Sequence, residues 1–533
     1  MGGTDTGINV VVVATTSDQI LVDGITGTSS PLNVASGTEL RLSGGTTNMW
    51  TVTGTGDDLG ASAIASAKID GTWSVADAKT SISAWTTDQD NYIKVYTTGD
   101  ARHKGKWSDT AYRMVSSNTY CVGVFDRVVK VDGLQVHIDS ANGLNSSGFY
   151  INNQEAEWSV TINNSIAKGA GSGTYWSMGI EVYSVDFEGT LYASNNIFYN
   201  WKSTERHAAI YSYNADSINA YIYNNTVFNS GVGFRIDVGD ATLINNLLSS
   251  TTDPFFGTYN AASTNNAIDV SDTVGGSSNT LINTNFNFIS TASGTEDFHL
   301  AETGNDDVLN AGYDLSIETD RGSSDVDGAA RNPDDLGYDI GADEVAAKQY
   351  RSVGNTSATL GNTGTVTISS TTRTATFSTA QADNVGVGDV IQYGNAGAYQ
   401  LAFIISRASS TEYGVQAYDT KAPSATTTAS FAIYRAHLLL DDWEDQIEED
   451  VNDSIDDTVS TQVLVSQDLV ASNTIMMVPA YAGDNTDDAL VVVDNLTTGI
   501  GNYINIYTPD QSNEVGISQR HRGKWGAGYK RTD

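Results

Sequence analysis

Cysteine is almost absent from this 533-residue sequence, which contains only Cys121 and therefore no pair that could form an intrachain disulfide. Cys121 lies in the apolar run of residues 120–125, so we expect it to be buried as a small apolar side chain. Proline is also scarce, with six residues, whereas Gly, Ser, Thr and Asn are abundant and 39% of the residues are hydrophobic. This composition is typical of a β-rich, turn-rich globular protein and argues against a disordered one.

Long hydrophobic runs are missing as well, since no stretch approaches the length that a transmembrane helix needs. Residues 1–5 contain neither the basic start nor the apolar core of a signal peptide. We therefore expect no membrane insertion. Two routes to a surface stay open: an export signal outside this sequence, or synthesis in a cytoplasm followed by another mode of release, as for virion proteins.

Basic residues are few, because 27 Lys and Arg stand against 64 Asp and Glu, which gives a formal net charge of −37 at pH 7. Such a charge argues against binding to nucleic acid or to an anionic membrane through bulk electrostatics. An acidic surface suits an extracellular setting and can hold divalent cations. The alternative is that the charge only keeps a long chain soluble.

A short phrase of apolar residues around an Asn recurs through the middle of the chain. Its copies are residues 162–166, 193–197, 222–227, 243–247 and, more faintly, 263–267. The Asn residues at 164, 195, 224, 245 and 265 are 31, 29, 21 and 20 residues apart. A unit that recurs every twenty to thirty residues (roughly the range of solenoid repeats) predicts a β-solenoid in which each unit is one coil.

In such a solenoid the apolar side chains face a common core and each Asn occupies a turn, where it tolerates a left-handed conformation. Stacked coils would then align the Asn side chains in a hydrogen-bonded ladder. The first clear coil offers Val129, Val131, Leu134, Val136 and Ile138 as inward candidates. An ordinary β-sandwich with Asn-rich turns is the alternative, but its turns need not repeat one dipeptide in one frame.

The sequence also contains Asp325-Val326-Asp327-Gly328, with Arg331 three residues later, followed by the segment 339–344, Asp-Ile-Gly-Ala-Asp-Glu. With the Asn repeat, these motifs resemble the right-handed parallel β-helix proteins, a group that includes pectate lyases, phage tailspikes and long bacterial surface proteins. The resemblance covers residues 115–345. It implies an all-β, right-handed parallel β-helix and leaves the function open.

A second repeat joins two distant parts of the chain. Residues 91–97 (NYIKVYT), 102–107 (RHKGKW) and 112–113 match residues 502–508 (NYINIYT), 520–525 (RHRGKW) and 529–530. Trp107 and Trp525 are 418 residues apart, so the chain contains one module and the opening of a second. Either this is a fragment of a longer array, or the C-terminal part completes the start of a neighbouring subunit. An element duplicated with the module is expected to be architectural rather than catalytic.

These patterns divide the chain into four regions. We predict a β-rich capping region and module start at 1–114, the β-helix at 115–348 and an appended small antiparallel β-barrel or sandwich at 349–436. Residues 437–533 would hold a short helix, docked by Leu440, Trp443 and Ile447, and the second module start. Short strands are expected within residues 8–55, and a short helix or a loop that caps the solenoid within residues 56–80.

One cluster of charged side chains interrupts the β-helix near Trp201. The catalytic candidates are Lys202, Glu205, Arg206, His207 and Asp237, with Asp240 and Glu181 on neighbouring coils. A lyase would use such carboxylates and a basic residue on an outer sheet face, but no lyase motif is matched residue by residue. A turn whose cations pair with nearby carboxylates is the simpler interpretation.

Further candidates concern sugars and metals. A glycosidase needs two carboxylates across a sugar-sized gap, and the strand-borne pairs Glu155 with Glu157 and Asp186 with Glu188 fit only weakly. Outward tyrosines could bind sugar rings or another protein. The candidates for ligand binding are Tyr211, Tyr213, Tyr221, Tyr223 and Trp201. Asp325 and Asp327 could bind Ca²⁺, although they fall short of a complete loop pattern.

The sequence therefore leads to two functional hypotheses. The first is a non-enzymatic structural or adhesive protein on a cell or virion surface, which assembles with copies of itself and binds polysaccharide. The second is a tailspike-like polysaccharide lyase or glycoside hydrolase that acts in an outer groove of the β-helix. Under either hypothesis we expect no binding to nucleic acid.

Overall fold

The computed structural model describes residues 64–532 and, before them, the backbone of four short strands. The undescribed positions within 64–532 are 118, 140–145, 154, 171–175, 184–186, 203–206, 214–217, 238, 258, 271–279, 285, 302–304, 306, 317–323, 332–333, 484–485, 489, 500 and 526–527. The chain forms two compact units. The first contains Met1–Gly328 and Tyr338–Glu344, and the second contains Ala329–Gly337 and Val345–Asp533.

The first unit is built from three parallel sheets of seven strands each, here named A, B and C. Sheet A contains Ala65–Ile69, Ile93–Thr97, Val128–Asp132, Trp158–Asn163, Gly189–Ser194, Ile218–Tyr223 and Asp240–Ile244. Sheet B contains Arg113–Ser116, Gln135–Ile138, Ile166–Lys168, Ile197–Tyr199, Thr226–Phe228, Leu247–Ser249 and Ala267–Ile268. Sheet C contains Thr80–Ile82, Thr119–Val124, Ser146–Ile151, Ser177–Val182, His207–Ser212, Val232–Ile236 and Asp253–Gly257.

Successive coils visit the sheets in the order A, B, C and pair in register with the coil before and the coil after. Val131, for example, is aligned with Val95 of the preceding coil and Ile162 of the following one. All five inward candidates of the first clear coil are buried, as is Cys121, so both predictions are confirmed. Burial raises the pKa of the Cys121 thiol to about 12, which keeps it protonated and inert. The parallel β-helix fold is confirmed.

The turn between sheets A and B contains the recurring Asn pair, and its two members have different roles. The first position of the turn has positive φ in every copy, from 50° to 57° at Asn164, Asn195, Asn224, Asn245 and Asn265, and it is followed by a second Asn in every copy except the first, where Ser165 takes that place. The second forms the ladder. The side-chain oxygen of Asn225 accepts from the backbone N–H of Asn196 at 3.0 Å, and Asn246 and Asn266 repeat this contact one coil later each. The amide nitrogens donate to buried carbonyls and to the amide oxygen of the next coil. A ladder is therefore present, but the residues after the left-handed Asn form it, not the left-handed Asn residues to which the prediction assigned it.

The described residues of 286–328 and Tyr338–Glu344 form a return segment that runs back along the outside of sheet B. It includes the antiparallel strands Phe288–Ser290 and Asp297–Leu300. The backbone N–H of Gly341 donates to the carbonyl of Asn245 at 2.8 Å, and that of Ala342 donates to the Thr226 hydroxyl at 2.9 Å. The segment therefore covers the turns and outer side chains of several coils at once.

The start of the chain contains the antiparallel pairs Val11–Thr15 with Gln19–Asp23 and Glu39–Leu40 with Trp50–Thr51. The short strands expected within residues 8–55 are thus confirmed. The helix considered for residues 56–80 is wrong where the structure describes them, because Ala65–Ile69 is the first strand of sheet A. Its pairing with Ile93–Thr97 overrides the weak helix preference of its alanines.

The second unit contains a seven-stranded antiparallel sheet, which confirms the expected appended β domain. In sheet order its strands are Thr426–Thr428, Val366–Ser369, Thr374–Phe377, Glu412–Gln416, Gln400–Arg407, Val390–Tyr393 and Phe431–Tyr434. Their alternating apolar side chains form one core that includes Val366, Phe377, Ile391, Tyr413 and Ile433.

The second unit also contains a short parallel sheet of Ala347–Tyr350, Thr474–Pro479 and Ile504–Tyr507. Ile504–Tyr507 belongs to the second copy of the distant repeat. It pairs in parallel with Thr474–Pro479, as Ile93–Thr97 pairs with Ala65–Ile69. Ile504 is aligned with Met476, and its counterpart Ile93 is aligned with Ala65. The strands of the two copies therefore pair in the same way with the strand that precedes them.

One α-helix, Leu440–Asp445, and the 3-10 helices Gly99–Ala101, Glu448–Asp450 and Ser460–Gln462 occur among the described residues. Leu440 and Trp443 are buried as expected, but the docking role assigned to Ile447 is wrong. The helix ends because Gln446 adopts a left-handed conformation (φ 51°), and Ile447 is 47% exposed. No helix in the described part of the chain is long and apolar enough to cross a membrane.

Candidate functional site

The outer face of sheet C carries a concentration of aromatic side chains, which we call the aromatic face. Inward and outward positions alternate on each strand, so a buried row of Val122, Phe149, Ile180, Ile210 and Phe234 lies beside an outward row. In register, the outward row is Tyr150, Glu181, Tyr211, Arg235 and Phe256. Tyr120, Trp176, Tyr183 and Tyr213 flank it.

Four tyrosines of the aromatic face stack on one another from coil to coil. The ring centroids of Tyr120 and Tyr150 are 5.6 Å apart, those of Tyr150 and Tyr183 are 6.4 Å apart, and those of Tyr183 and Tyr213 are 5.9 Å apart. Interplanar angles of 6° to 23° make all three pairs stacked. Because each inner ring faces its neighbours, the stack presents ring edges and hydroxyls outward, and only its last member, Tyr213, is well exposed.

Arg235 anchors the other side of this face. Its guanidinium lies 4.9 Å from the ring centroid of Tyr211 and 4.5 Å from that of Phe256. It also forms an ion pair with Asp237, with Nε and Oδ1 2.9 Å apart, and the Tyr211 hydroxyl donates to the same carboxylate at 2.9 Å. Burial first, and then this contact with Asp237, raises the pKa of Tyr211. The cluster is thus held rigidly by three kinds of contact.

Glu181 is a buried carboxylic acid on this outer face. It lies between Tyr150 and Tyr211 in the outward row, is 7% exposed, and accepts a hydrogen bond from the Ser147 hydroxyl. Burial raises the pKa of Glu181, against the opposing effect of the Ser147 hydrogen bond. A carboxylic acid with a raised pKa on a sheet surface is the kind of group that can act as a general acid.

The charged cluster predicted around residue 202 is only partly described. Lys202 is exposed, His207 is buried at the start of a sheet C strand, and Glu205 and Arg206 lie outside the described residues. Asp237 belongs to the aromatic face, as above. Asp240 lies on sheet A, where it accepts from Asn260 at 2.7 Å. The structure therefore brings Glu181 and Asp237 to one face, whereas Asp240 lies on another.

The predicted sugar-binding aromatics differ in exposure. Tyr213 is 39% exposed and Tyr221 is partly exposed, stacked on Tyr192 at 5.1 Å. The assignment of Trp201 is wrong, because Asn200 turns the chain with positive φ and buries the Trp201 ring, whose N–H donates to the Ala167 carbonyl.

Tyr211 and Tyr223 also require correction as exposed ligand contacts. Both point outward, as expected, but Tyr211 is covered by Trp176 and Arg235. Tyr223 is covered by Leu315 of the return segment. Each is 5% exposed or less, so neither offers a ring face to a ligand.

Of the carboxylates proposed for a glycosidase, the three that the structure describes do not lie on strands. Glu155 and Glu157 precede the strand Trp158–Asn163, and both are exposed. Glu157 has positive φ and forms an ion pair with Arg127 at 2.8 Å. Glu188 is exposed before the next strand of sheet A, and Asp186 lies outside the described residues. The strand placement assumed for Glu155, Glu157 and Glu188 is therefore wrong, because these strands begin later than the alternation suggests.

Asp325 and Asp327 form a turn, in which the Asp325 carboxylate accepts the N–H of Asp327 at 2.9 Å. The Asp327 carboxylate oxygens both lie 3.2 Å from Nε2 of His299, whose Nδ1 lies 2.5 Å from Asp297. Lys106 completes the group with an ion pair to Asp297 at 3.2 Å. We call these four side chains, Lys106, Asp297, His299 and Asp327, the clasp.

The ionisable side chains of the clasp are partly buried. Burial alone would lower the pKa of His299, but hydrogen bonds with Asp297 and Asp327 outweigh it and hold that pKa well above its ordinary value. The same contacts lower the pKa of both carboxyl groups against the effect of burial. The His299 ring lies between the Asp297 and Asp327 carboxylates, and no group of three or more His, Cys, Asp or Glu side chains among the described residues is arranged to hold a metal ion. The calcium site at Asp325 and Asp327 stays a prediction.

The clasp closes over the loop of residues 102–107, which we call the first basic loop. Arg102 forms an ion pair with Asp132 at 3.0 Å, and His103 contacts the Asn164 carbonyl at 2.8 Å. Burial and the neighbouring Arg102 lower the pKa of His103 to about 4, so it is neutral at pH 7. Trp107 packs among sheet B and return-segment side chains that include Tyr199 and Phe298. The loop thus joins several coils to the return segment.

Sequence reasoning missed His299, Asp297, Trp176, Arg235 and Phe256. The first two follow each other as Asp-x-His, a weak signal that gains meaning only beside Asp327 and Lys106 in space. Comparison with protein-family models, with curated proteins and with solved structures found no match to this chain.

Proposed function

We propose that this protein is a non-enzymatic structural or adhesive subunit, displayed on a cell or virion surface, whose β-helix modules assemble with copies of themselves. The aromatic face carries the proposal. Its rings stack on one another and its Arg235–Asp237 pair is satisfied internally, so its polar groups are already committed to partners. A flat, rigid strip that ends in the exposed rings of Tyr213 and Phe256 suits contact with another protein surface.

Assembly is tested by sedimentation velocity and electron cryomicroscopy of the full chain over a range of concentrations. We expect ordered assemblies, and we expect the double variant Tyr213→Ser, Phe256→Ser to weaken self-association at least tenfold. Tyr313→Ser, which removes another exposed ring from the same unit, serves as the matched control. Monomeric rods at every concentration, with the aromatic face open to solvent, would contradict the proposal.

The alternative function is a tailspike-like polysaccharide lyase or glycoside hydrolase, and Glu181 is the observation that favours it. Its buried carboxyl group has the raised pKa that a general acid needs.

The alternative is tested on a panel of acidic and neutral polysaccharides. Reducing ends report hydrolysis, and absorbance of an unsaturated uronic acid reports elimination. An enzyme would lose at least a hundredfold in rate on Glu181→Gln while circular dichroism stays unchanged. Equal rates for Glu181→Gln and the unchanged protein would remove Glu181 from consideration.

A further inference from the structure

The first copy of the distant repeat shows what its sequence binds. Strand Ile93–Thr97 pairs with residues 129–132 of the next coil, with Val95 aligned to Val131 and Tyr96 to Asp132. The Thr97 hydroxyl then donates to the carbonyl of Gly133 at 2.5 Å. Arg102 closes the contact through its ion pair with Asp132. Residues 128–134 of that coil are therefore bound by residues 93–102 through strand pairing, a hydrogen bond and an ion pair.

The second copy has the same residue types at the same positions. Ile506, Tyr507 and Thr508 correspond to Val95, Tyr96 and Thr97, and Arg520 corresponds to Arg102. Among the described residues, Ile504–Tyr507 pairs on one side only, with Thr474–Pro479, and forms the edge of its sheet. An edge strand presents backbone groups that can pair with a further strand.

The side chains of the second copy are exposed where those of the first are covered. Ile506 is 42% exposed, and residues 520–525, which we call the second basic loop, are exposed throughout. Trp525 alone is 78% exposed. Between this loop and the edge strand lies an open pocket of about 480 Å³. Its lining includes Ile506, Tyr507, Thr508, Asp510, Arg520 and His521.

We propose that this pocket and edge strand form a strand-accepting site, and that its occupant is a strand of a further β-helix module that corresponds to Val128–Asp132. The occupant has the chemistry of residues 128–134: alternating Val side chains that continue the core, an Asp for Arg520, and a Gly that passes close to the threonine and arginine. The contact inside the first unit supplies the pattern, and Arg520, which pairs with Asp510 in the same pocket, would pair with the aspartate of the occupant as Arg102 pairs with Asp132.

The glycine is a specific requirement of the occupant. Gly133 has φ of +77°, and a Cβ there would lie 2.4 Å from Nη1 of Arg102 and 2.5 Å from Oγ1 of Thr97. The same two groups recur as Arg520 and Thr508. An occupant with a larger residue at this position would meet both of them, so the site selects Asp-Gly after a Val-rich strand.

This inference goes beyond the proposed function, because a strand-accepting site would join modules of an enzyme as well as of a structural subunit. If the aromatic face does not mediate assembly, the strand-accepting site is therefore not contradicted. The two are separated by using variants on different units, Tyr213 for assembly and Arg520 for strand acceptance.

The first test measures binding of a fluorescent peptide with the sequence of residues 126–138 to the full chain by anisotropy. We expect saturable binding, weakened about tenfold by Arg520→Gln, which is the effect of losing one charge-assisted hydrogen bond. A peptide with Gly133→Val should bind at least tenfold more weakly. Arg522→Gln is the matched control, because it removes an equal charge from the same loop and should leave binding unchanged. Equal affinities for Arg520→Gln and Arg522→Gln would contradict the site.

A second test captures the contact even if the free peptide binds weakly. A single cysteine, Ile506→Cys, is oxidised with peptides that carry cysteine in place of Val131 or of Lys130. Adjacent strands bring aligned Cα atoms within disulfide range, so only the Val131 position should cross-link. Cys121 is buried and does not compete. Cross-links at both positions, or at neither, would overturn the register and the proposal. Concentration-dependent dimers lost in Arg520→Gln would instead make a second copy of this chain the occupant and overturn the assignment to a further module.

Discussion

The first and second basic loops share a sequence but not an environment. In the first unit, residues 102–107 lie against three coils and under the return segment, and His103 is 1% exposed. In the second unit, residues 520–525 have the same motif, yet His521 and Trp525 face solvent. Local sequence is therefore not what buries these side chains. The coils that follow the loop bury them, and where the described residues include no such coils the motif stays exposed.

This difference gives the repeated motif a physical meaning. A loop rich in cations beside an exposed Trp costs little to keep in water, because Arg and Lys are readily solvated. When coils stack on it, the same groups find carboxylates and carbonyls and no buried charge is left unpaired.

The largest expected difference between the two loops concerns their glycines. Gly105 and Gly523 both have positive φ, but a Cβ on Gly105 would lie 2.1 Å from Asp327 and 2.3 Å from His299, whereas a Cβ on Gly523 would meet nothing within 4 Å. We expect Gly105→Ala to destabilise the first unit by about 3 kcal/mol, from backbone strain plus overpacking, and Gly523→Ala to cost about 1 kcal/mol from strain alone. Urea unfolding by circular dichroism gives both values.

The thiol of Cys121 localises the effect of the glycine changes. It is the only cysteine and lies in the core of the first unit, so its labelling by a maleimide reports opening of that unit. Labelling should accelerate in Gly105→Ala and remain unchanged in Gly523→Ala. Equal acceleration in both variants would mean that the clasp does not depend on the close approach at residue 105.

The tryptophans should show the next largest difference. Trp107 packs with Ile166, Tyr199 and Phe298, and Lys168 lies 5.5 Å above its ring. Trp107→Ala should cost about 2–3 kcal/mol, below the range for a fully buried ring because Trp107 is partly exposed. Trp525→Ala should change stability by less than about 0.5 kcal/mol. Comparable losses at both positions, measured by urea unfolding, would show that Trp525 is covered in solution.

The Asn turns were the most predictable feature because their signal is local and periodic. A left-handed turn needs Asn or Gly, and a ladder needs the same amide in each coil, so both requirements are visible in Asn195-Asn196 and Asn224-Asn225 without any knowledge of distant contacts. The alternation that buries Val129 and Val131 is equally local.

The candidate site was less predictable because contacts between distant residues decide it. Trp201 was expected at the surface, but the left-handed turn at Asn200 reverses its direction. Tyr223 points outward as alternation requires, yet Leu315, more than ninety residues later in the sequence, covers it. The clasp joins Lys106 to Asp297 and His299, and no spacing rule relates these positions. Alternation predicts direction, not what covers a side chain.

The pH dependence of stability is the third way to separate the two loops. Because the folded-state pKa of His299 is raised, its stabilising contribution is complete below its unfolded pKa and is lost as pH rises through the folded value. The lowered pKa values of Asp297 and Asp327 act oppositely: their contribution is present above an ordinary carboxyl pKa and is lost as pH falls through the folded values. The clasp is therefore strongest in weakly acidic solution.

Comparison with a variant isolates the histidine. Between pH 6 and pH 9 we expect the unchanged protein to lose at least about 1 kcal/mol more stability than His299→Gln, since one unit of pKa shift corresponds to about 1.4 kcal/mol. His521→Gln, in the exposed loop, should follow the unchanged protein. Urea midpoints by circular dichroism at the two pH values decide the matter, and parallel pH profiles for the unchanged protein and His299→Gln would remove the clasp as the cause.

The smallest expected difference concerns the arginines that begin each loop. Arg102 is 15% exposed and pairs with Asp132 at 3.0 Å, whereas Arg520 is 64% exposed and pairs with Asp510 at 3.1 Å. Arg102→Gln should cost about 1 kcal/mol, since its partner remains half-solvated, and Arg520→Gln should leave stability unchanged because exposed pairs contribute little. With the peptide of residues 126–138 present, Arg520→Gln should affect the second unit. The peptide should raise the urea midpoint of the unchanged protein and leave the midpoint of Arg520→Gln nearly unchanged. If the peptide stabilises both equally, Arg520 does not recognise the aspartate, and the likeness between the two loops ends at their sequence.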